Sequence, residues 1–278
     1  NAAAALAGHE WDSVVDWIAF TPEHIERDIE LFRGKTKQFV FISSASCYQK
    51  PPVHPVITES TPLINPFWQY SRNKIACEER LLDACRSEGF PVTIVRPSHT
   101  YDTIWPTGVG PSDFTIPARM QAGKKVVMHG DGTTHWTLTH AIDFARGFVP
   151  LLGNDQAFGQ SFHITSHERL TWNQIYAIMA DTVGGAAALV HIPSQVLENL
   201  GYHDGGLLGD KAVSVHFDNT KIRSIVPDFQ CRISFREGMA RTLEKAKDSP
   251  NLQHVDEAFN QRLDQLIQRW ENALHSLQ

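Results

Sequence analysis

Phe39-Val40-Phe41-Ile42-Ser43-Ser44-Ala45-Ser46 is the stretch from which the fold can be read. Four consecutive apolar residues suit a parallel strand covered on both faces. The small hydroxyl-bearing residues that follow suit its carboxyl end, where open α/β sheets place ligands. Further on, Asn65-Pro66-Phe67-Trp68-Gln69-Tyr70-Ser71-Arg72-Asn73-Lys74 reads as the start of a helix. Asn65 is expected to cap the free amides and Pro66 to take the first helical position. Tyr70 and Lys74, four residues apart, then share one face. A phenol titrates near pH ~10, and an ammonium within ~4–6 Å favours its ionised form. A nearby serine hydroxyl can hold a substrate oxygen while the tyrosine moves a proton, which is the chemistry of oxidising or reducing a carbon–oxygen bond.

The rest of the chain extends this pattern. Residues 13–19 form an earlier apolar strand, followed by Thr21 as cap, Pro22 in the first turn and a helix running to Gly34. The Tyr70 helix continues to Gly89, and Val92-Thr93-Ile94-Val95 is the next strand. Alternating strands and helices of this length predict an α/β fold with a doubly wound parallel sheet. Beyond Pro97 the rhythm loosens. A loop over 101–117 precedes a helix over 114–122, a strand over 126–129, a returning helix over 140–152 and a strand over 161–164. Thr171-Trp172-Asn173-Gln174 is a capping box opening a helix to Val183, and 189–192, 218–225 and 235–247 read as strand, helix and helix. Ser249-Pro250 opens a last amphipathic helix with Leu252, Val255, Phe259, Leu263, Leu266, Trp270, Leu274 and Leu277 on one stripe. Docking on its own domain and service as a partner-binding or oligomer helix both fit that stripe.

Composition narrows the class. The 278 residues are 42% hydrophobic and 20% charged, enough for a sizeable core and against disorder. A net charge of −6 disfavours a broad nucleic-acid-binding surface, although a local patch stays open. The 4 cysteines form no Cys-x-x-Cys pair, and the 14 histidines no His-Glu-x-x-His spacing, so no metal site is expected and a reducing cytoplasm fits. No apolar run reaches the ~18 residues of a membrane span.

Val40-Phe-Ile-Ser-Ser-Ala-Ser-Cys-Tyr48, Tyr70-x-x-x-Lys74 and Val92-Thr-Ile-Val-Arg-Pro97 together resemble the NAD-dependent epimerase/dehydratase family, the extended short-chain dehydrogenases/reductases. The likeness continues through Gly130-Asp-Gly132, His140-x-x-Asp143 and Phe162-His-Ile-Thr165, over residues 11–247. In that family the catalytic Ser or Thr stands four residues before the tyrosine of a Val-Tyr-Gly-like segment. That tyrosine is Tyr48 here, which selects Ser44.

The resemblance implies Ser44, Tyr70 and Lys74 as a catalytic triad in an NAD(P)-dependent epimerase/dehydratase or reductase. It implies Ala19, Phe20, Ser43, Tyr70, Lys74 and Pro97 around an NAD or NADP cofactor. Ser44, His99 and Trp136 would face a small-molecule, possibly sugar-like, substrate. It further implies a homodimer through the helices at 22–33 and 66–87, and a division into a Rossmann-like domain (1–100 and 138–168), a smaller substrate-binding lobe (101–137 and 169–248) and an extra C-terminal helix (249–278).

Two features depart from the family pattern. No Gly-x-x-Gly-x-x-Gly or Gly-x-Gly-x-x-Gly turn occurs, so the sheet is expected to be N-terminally incomplete, with about 60 residues of strand–helix units upstream. Asn1 to Gly8 reads as the tail of a helix. Trp136 stands where nucleotide-sugar members place a phosphate-clamping Arg, and Cys47-Tyr48-Gln49 replaces Val-Tyr-Gly. An indole stacks but forms no bidentate pair with phosphate. Both departures are similar to the branch that includes chloroplast stem-loop RNA-binding proteins. A non-catalytic or RNA-associated binding protein is therefore the alternative reading. The substrate, the choice between NAD and NADP, and the overall reaction stay open.

Overall fold

The structure is a computed structural model that describes residue 6 and residues 8–276. The expected helix tail before Gly8 lies almost wholly outside the described residues. In chain order the elements begin with β1 (Val14–Asp16), α1 (Pro22–Phe32), β2 (Phe39–Ile42), α2 (Gln69–Glu88) and β3 (Val92–Val95). Next come β4 (His99–Tyr101), α3 (Thr115–Gln121), β5 (Val126–His129), β6 (His135–Trp136), β7 (Leu138–His140), α4 (Ala141–Phe148) and β8 (Ser161–Phe162). The series closes with β9 (Leu170–Thr171), α5 (Trp172–Val183), β10 (Leu189–Ile192), α6 (Ser194–Asn199), α7 (Thr220–Ile225), α8 (Phe235–Lys247) and α9 (Glu257–His275).

The chain divides into two compact units. The first comprises 1–98, 142–165 and 217–231, the second 99–141, 166–216 and 232–278. Residues 217–231, expected in the lobe, thus belong to the first unit. There Phe229 packs against Gly147, and Ile222 and Val226 join Phe144 and Phe148 in one apolar cluster.

The first unit is built on a parallel sheet in the order β1-β2-β3-β8, as an α/β fold requires. Side chains alternate across a strand with a period of two, so an apolar run must bury both faces. Phe39 and Phe41, with Val92 and Ile94, pack under α1 and α2 against Ile25, Ile29, Cys77 and Leu81. Val40 and Ile42, with Val95 and Phe162, face the opposite cluster around Phe144, Phe148, Leu151 and Phe229. The strand expected over 13–19 is shorter, only Val14–Asp16. Asp16 Oδ1 accepts the Ile18 and Ala19 amides at 2.6 and 2.9 Å, turning the chain out of the sheet.

The Tyr70 helix likewise starts later than expected, at Gln69 rather than Pro66. Asn65 Oδ1 does accept two amides, those of Phe67 and Trp68, but they close a turn ahead of the helix. Thr21, expected as a side-chain cap, makes no capping hydrogen bond.

The second unit has an aromatic core of Trp105, Trp136, Trp172 and Tyr176 among aliphatic residues. Short strand pairs frame it: β5 with β10 and β4 with β7 in parallel, β6 with β9 antiparallel. The expected capping box opens α5, with Thr171 and Gln174 bonded reciprocally. The returning helix over 140–152 breaks after Phe148 into a 3₁₀ turn at Pro150, since proline offers no amide to continue the ladder. The last helix also starts later than 249. Pro250–Gln253 is a 3₁₀ turn, and Asp256 caps α9 by accepting the Phe259 amide. This helix docks on its own unit: Leu263, Leu266 and Ile267 are buried, Arg119 Nη2 meets Asp264 at 2.6 Å and Lys125 meets Glu271 at 2.6 Å.

Helix α5 ends on Gly184 in the left-handed conformation, and Gly185 then passes against α3. A Cβ on Gly185 would stand 2.3 Å from the Met120 carbonyl oxygen, a backbone atom that cannot rotate away. Gly185→Ala is expected to destabilise the second unit by about 1–3 kcal/mol, read as a lower urea midpoint. An unchanged midpoint would show that the two segments do not pack this closely.

Candidate functional site

At the carboxyl end of β2, Ser43 and Ser44 leave the sheet into a 3₁₀ turn over Ala45–Cys47. The turn is anchored by the Ala45 amide donating to the Pro97 carbonyl at 2.9 Å. Ser44 Oγ caps it by accepting the Ser46 amide at 3.2 Å. The same oxygen lies 2.8 Å from Ser46 Oγ, which in turn receives the Ser71 hydroxyl at 2.7 Å. Three hydroxyls thus run from half-buried Ser44 into the interior of the first unit, where Ser46 and Ser71 are buried. The Asn65 side-chain amide donates to the Ser46 carbonyl at 2.8 Å and holds the turn against the start of α2.

Tyr70 sits half-buried in the first turn of α2, its ring 4.7 Å from Trp68 and 6.3 Å from Phe20. One turn on, Lys74 is 2% exposed. Its Nζ donates to the Ala19 carbonyl at 2.7 Å and the Ile42 carbonyl at 2.8 Å. The ammonium therefore ties the segment after β1 to the end of β2. It lies 4.8 Å from the centre of the Phe20 ring and 5.9 Å from that of Tyr70. Burial lowers the Lys74 pKa, and the carboxylates of Asp16 and Glu78 act against that shift. Asp16 and Asp28 form a carboxyl pair nearby. Burial and the hydrogen-bonded, like-charged Asp16 push Asp28 up to about 8. Burial also acts to raise Asp16, but hydrogen bonds from Asp28 and from the Ile18 and Ala19 amides outweigh it and leave Asp16 lowered.

Beneath these groups lies a second layer. Glu78, one turn beyond Lys74, is fully buried and paired with Arg96 by Nη2–Oε2 at 2.6 Å and Nε–Oε1 at 2.9 Å. The Ser43 hydroxyl donates to the same carboxylate, so Ser43 turns its side chain inward. Arg96 Nη1 reaches Tyr48 Oη at 3.2 Å, Tyr48 Oη meets His163 Nδ1 at 3.0 Å, and His163 Nε2 meets the Asp218 carbonyl at 2.7 Å. Burial holds the His163 pKa down and raises that of Tyr48, so the row runs from one ion pair into two neutral rings.

The first unit therefore brings together Ala19, Phe20, Ser43, Ser44, Tyr70, Lys74 and Pro97. His99 and Trp136 belong to the second unit. His99 opens β4, and burial, then the charge of Lys211, lowers its pKa to about 3. Trp136 is 5% exposed and stacks on Trp172 at 5.4 Å, with Lys211 Nζ 5.8 Å from its ring centre.

The family's sequence profile matches residues 24–165, just over half of the chain. The chain belongs to the NAD dependent epimerase/dehydratase family. A curated relative, the chloroplast stem-loop binding protein of 41 kDa b from Arabidopsis thaliana, is 26% identical over 181 residues. That stretch takes in 65% of this chain and 45% of the relative, so the chain spans about half the length of the curated protein it matches. Among solved structures, an epimerase from Methanothermobacter thermautotrophicus superposes with a TM-score of 0.69 at 19% identity, covering 85% of this chain and 72% of that one. UDP-glucuronic acid 4-epimerase from Bacillus cereus, in complex with NAD, gives 0.65 at 17% identity, covering 89% and 76%. At such identities these structures share the fold of the family member described here.

Sequence reasoning passed over Ser46, Ser71 and Glu78. One signal for Glu78 was available: positions 70, 74 and 78 recur every four residues and so face one way on α2. The Glu78–Arg96 pair is buried at both ends. Arg96→Leu should cost about 3–5 kcal/mol by leaving a buried carboxylate unpaired, while Glu78→Gln with Arg96→Leu should recover part of it. Equilibrium urea unfolding checks both, and a neutral single substitution would show the pair to be dispensable.

Asp28 gives a pH signature of definite sign. Its carboxyl pKa is raised in the folded chain, so between about pH 4 and 8 the folded state holds a proton that the unfolded state has lost. Its contribution to stability therefore falls as pH rises through that window. Asp28→Asn should flatten the decline in melting temperature between pH 5 and 9, and an unaltered profile would assign the decline elsewhere.

Proposed function

We propose that the chain carries the proton-transfer part of an NAD(P)-dependent epimerase/dehydratase or reductase, acting at a carbinol or carbonyl carbon. The observation that carries this reading is the buried Lys74 ammonium, held by the Ile42 carbonyl at the end of β2 and the Ala19 carbonyl in the segment after β1, 5.9 Å from the Tyr70 ring centre. A cation so placed favours the phenolate and lets Tyr70 take a proton near neutral pH. An ammonium has three donors, and two of Lys74's go to Ala19 and Ile42, which leaves one for a ligand hydroxyl.

The residues fit the nicotinamide-ribose end of the cofactor. Lys74 would hold ribose hydroxyls, the Ala19–Phe20 segment and Pro97 would line the ring, and Ser43, with its hydroxyl committed to Glu78, would contribute through its main chain. The cofactor, when bound, accepts or returns a hydride. Tyr70 takes the substrate hydroxyl proton as the carbonyl forms and gives it back in reverse. Ser44 holds the same oxygen in place. Lys74 compensates the phenolate charge, and the Trp68 and Phe20 rings pack beside Tyr70.

Three of the similar solved structures hold a UDP-sugar or an analogue of one together with NAD. In this chain Trp136 stands where nucleotide-sugar members of the family place a diphosphate-clamping Arg, which favours a substrate without that diphosphate. Among the described residues, no helix is long and apolar enough to cross a membrane. A cytoplasmic homodimer joined through α1 and α2 completes the reading. The curated relative's name supports a second reading, an RNA-associated protein on the same fold, for which NADH and NADPH would leave protein fluorescence unchanged.

Tyr70→Phe removes one hydroxyl and is expected to lower hydride transfer by the full-length protein by roughly 10²–10⁴-fold with its melting temperature unchanged. A loss of only a few-fold would remove Tyr70 from the reaction.

A further inference from the structure

The row of hydroxyls behind Ser44 has a direction. A serine hydroxyl carries one proton and two acceptor lone pairs. Ser71 Oγ donates to Ser46 Oγ at 2.7 Å. Ser46 is 2% exposed, and the other oxygen beside its hydroxyl is Ser44 Oγ, at 2.8 Å. Having accepted from Ser71, Ser46 places its own proton on Ser44, because a buried hydroxyl proton without an acceptor is costly. Ser44 Oγ also accepts the Ser46 amide at 3.2 Å. Both of its lone pairs are then taken from inside the protein. Its remaining proton points away from Ser46, on the half-buried side of the residue.

We propose that Ser46 and Ser71 are positioning residues that fix Ser44 as a hydrogen-bond donor, so that the substrate atom it meets is a lone-pair acceptor. The proposal rests on the hydride-transfer reading for its consequence but not for its geometry. The atom that Ser44 touches is the oxygen of a ketone, aldehyde or alcohol. A protonated amine, which has no lone pair to offer, is excluded. As a carbinol gives its proton to Tyr70 and its hydride to the cofactor, charge passes through that oxygen, and a donor already aimed at it needs no reorientation. Were Ser44 free to rotate, some of its orientations would present a lone pair to the oxygen of the forming carbonyl and repel it. The segment is braced for this task. Asn65 holds the Ser46 carbonyl, and the Ala45 amide is bonded to Pro97. Ser71 sits in α2 beside Tyr70, so the donor and the proton acceptor are set by one rigid element.

Neutron diffraction from crystals of the full chain exchanged into D2O tests the direction without any ligand. The expected map has the Ser46 deuteron on the line to Ser44 Oγ and the Ser44 deuteron pointing away from Ser46. A Ser44 deuteron lying on the line to Ser46 would overturn the proposal. In Ser71→Ala, Ser46 can accept from Ser44, and the Ser44 deuteron should split over two sites. A single unchanged site would remove Ser71 from the relay.

Turnover of NADPH with 9,10-phenanthrenequinone, a carbonyl probe with no proton to donate, supplies the second readout. Ser71→Ala should lower kcat by roughly tenfold, less than the ~10²–10³ lost when an oxyanion donor is deleted outright, with KM within twofold. Equal losses in kcat/KM through KM alone would point to a packing role instead. Absence of turnover by the unaltered protein would count against the hydride-transfer reading, and the deuteron positions would then decide the relay by themselves.

Discussion

The buried ion pair between Glu78 and Arg96 is the constraint on which the first unit depends. Neither charge can be left alone in the interior, where an unpaired carboxylate or guanidinium costs several kcal/mol. Each is therefore held to the other by several hydrogen bonds, and the surplus donors and acceptors draw in Ser43, Tyr48 and the Glu59 carbonyl. Those contacts join the middle of α2 to the ends of β2 and β3. They explain why three stretches far apart in sequence converge with their functional residues in register. A hydrophobic replacement of the pair would pack, but it would not dictate which turn of α2 meets which strand end.

Lys74 performs a similar service one turn earlier. It is a buried cation whose nearest partners are carbonyl oxygens rather than a carboxylate. Such an ammonium is satisfied by hydrogen bonding while its charge remains largely uncompensated at contact range. That is the condition under which it acts on a neighbouring phenol. Burial lowers its pKa, and the more distant charges of Asp16 and Glu78 act against that shift. Structure and chemistry draw on one group: the tie between the end of β2 and the segment after β1 and the field at Tyr70 both come from Nζ.

The second unit is held together differently. Its strand pairs are short, and its core relies on large aromatic rings, with α9 laid across them and fastened by Arg119. Arg119 is buried, and its guanidinium is shared among the Lys125 carbonyl, Asn260 and Asp264, so the last helix is bonded to the chain segment that follows α3. Burial, with the charge of Lys211, lowers the pKa values of His99 and His129, so these two rings enter the second unit in the neutral form.

How much of this was legible in the sequence depends on the range of the interaction. Strands at Phe39–Ile42, Val92–Val95, Val126–His129 and Leu189–Ile192 follow from short, largely apolar runs, and the capping box at Thr171 follows from local chemistry. Tyr70 and Lys74 could be placed on one helix face because that relation is set by helical period alone. The starts of α2 and α9 and the short β1 could not. In each, a side chain made a turn where a helix or strand was equally available, and Asn65 was committed by its bond to Ser46, 19 residues away. The placement of 217–231 in the first unit, the inward turn of Ser43 and the hydroxyl row behind Ser44 were decided by tertiary structure. They depend on which buried polar atoms must find partners once the chain has closed, and such partners have no fixed spacing in sequence.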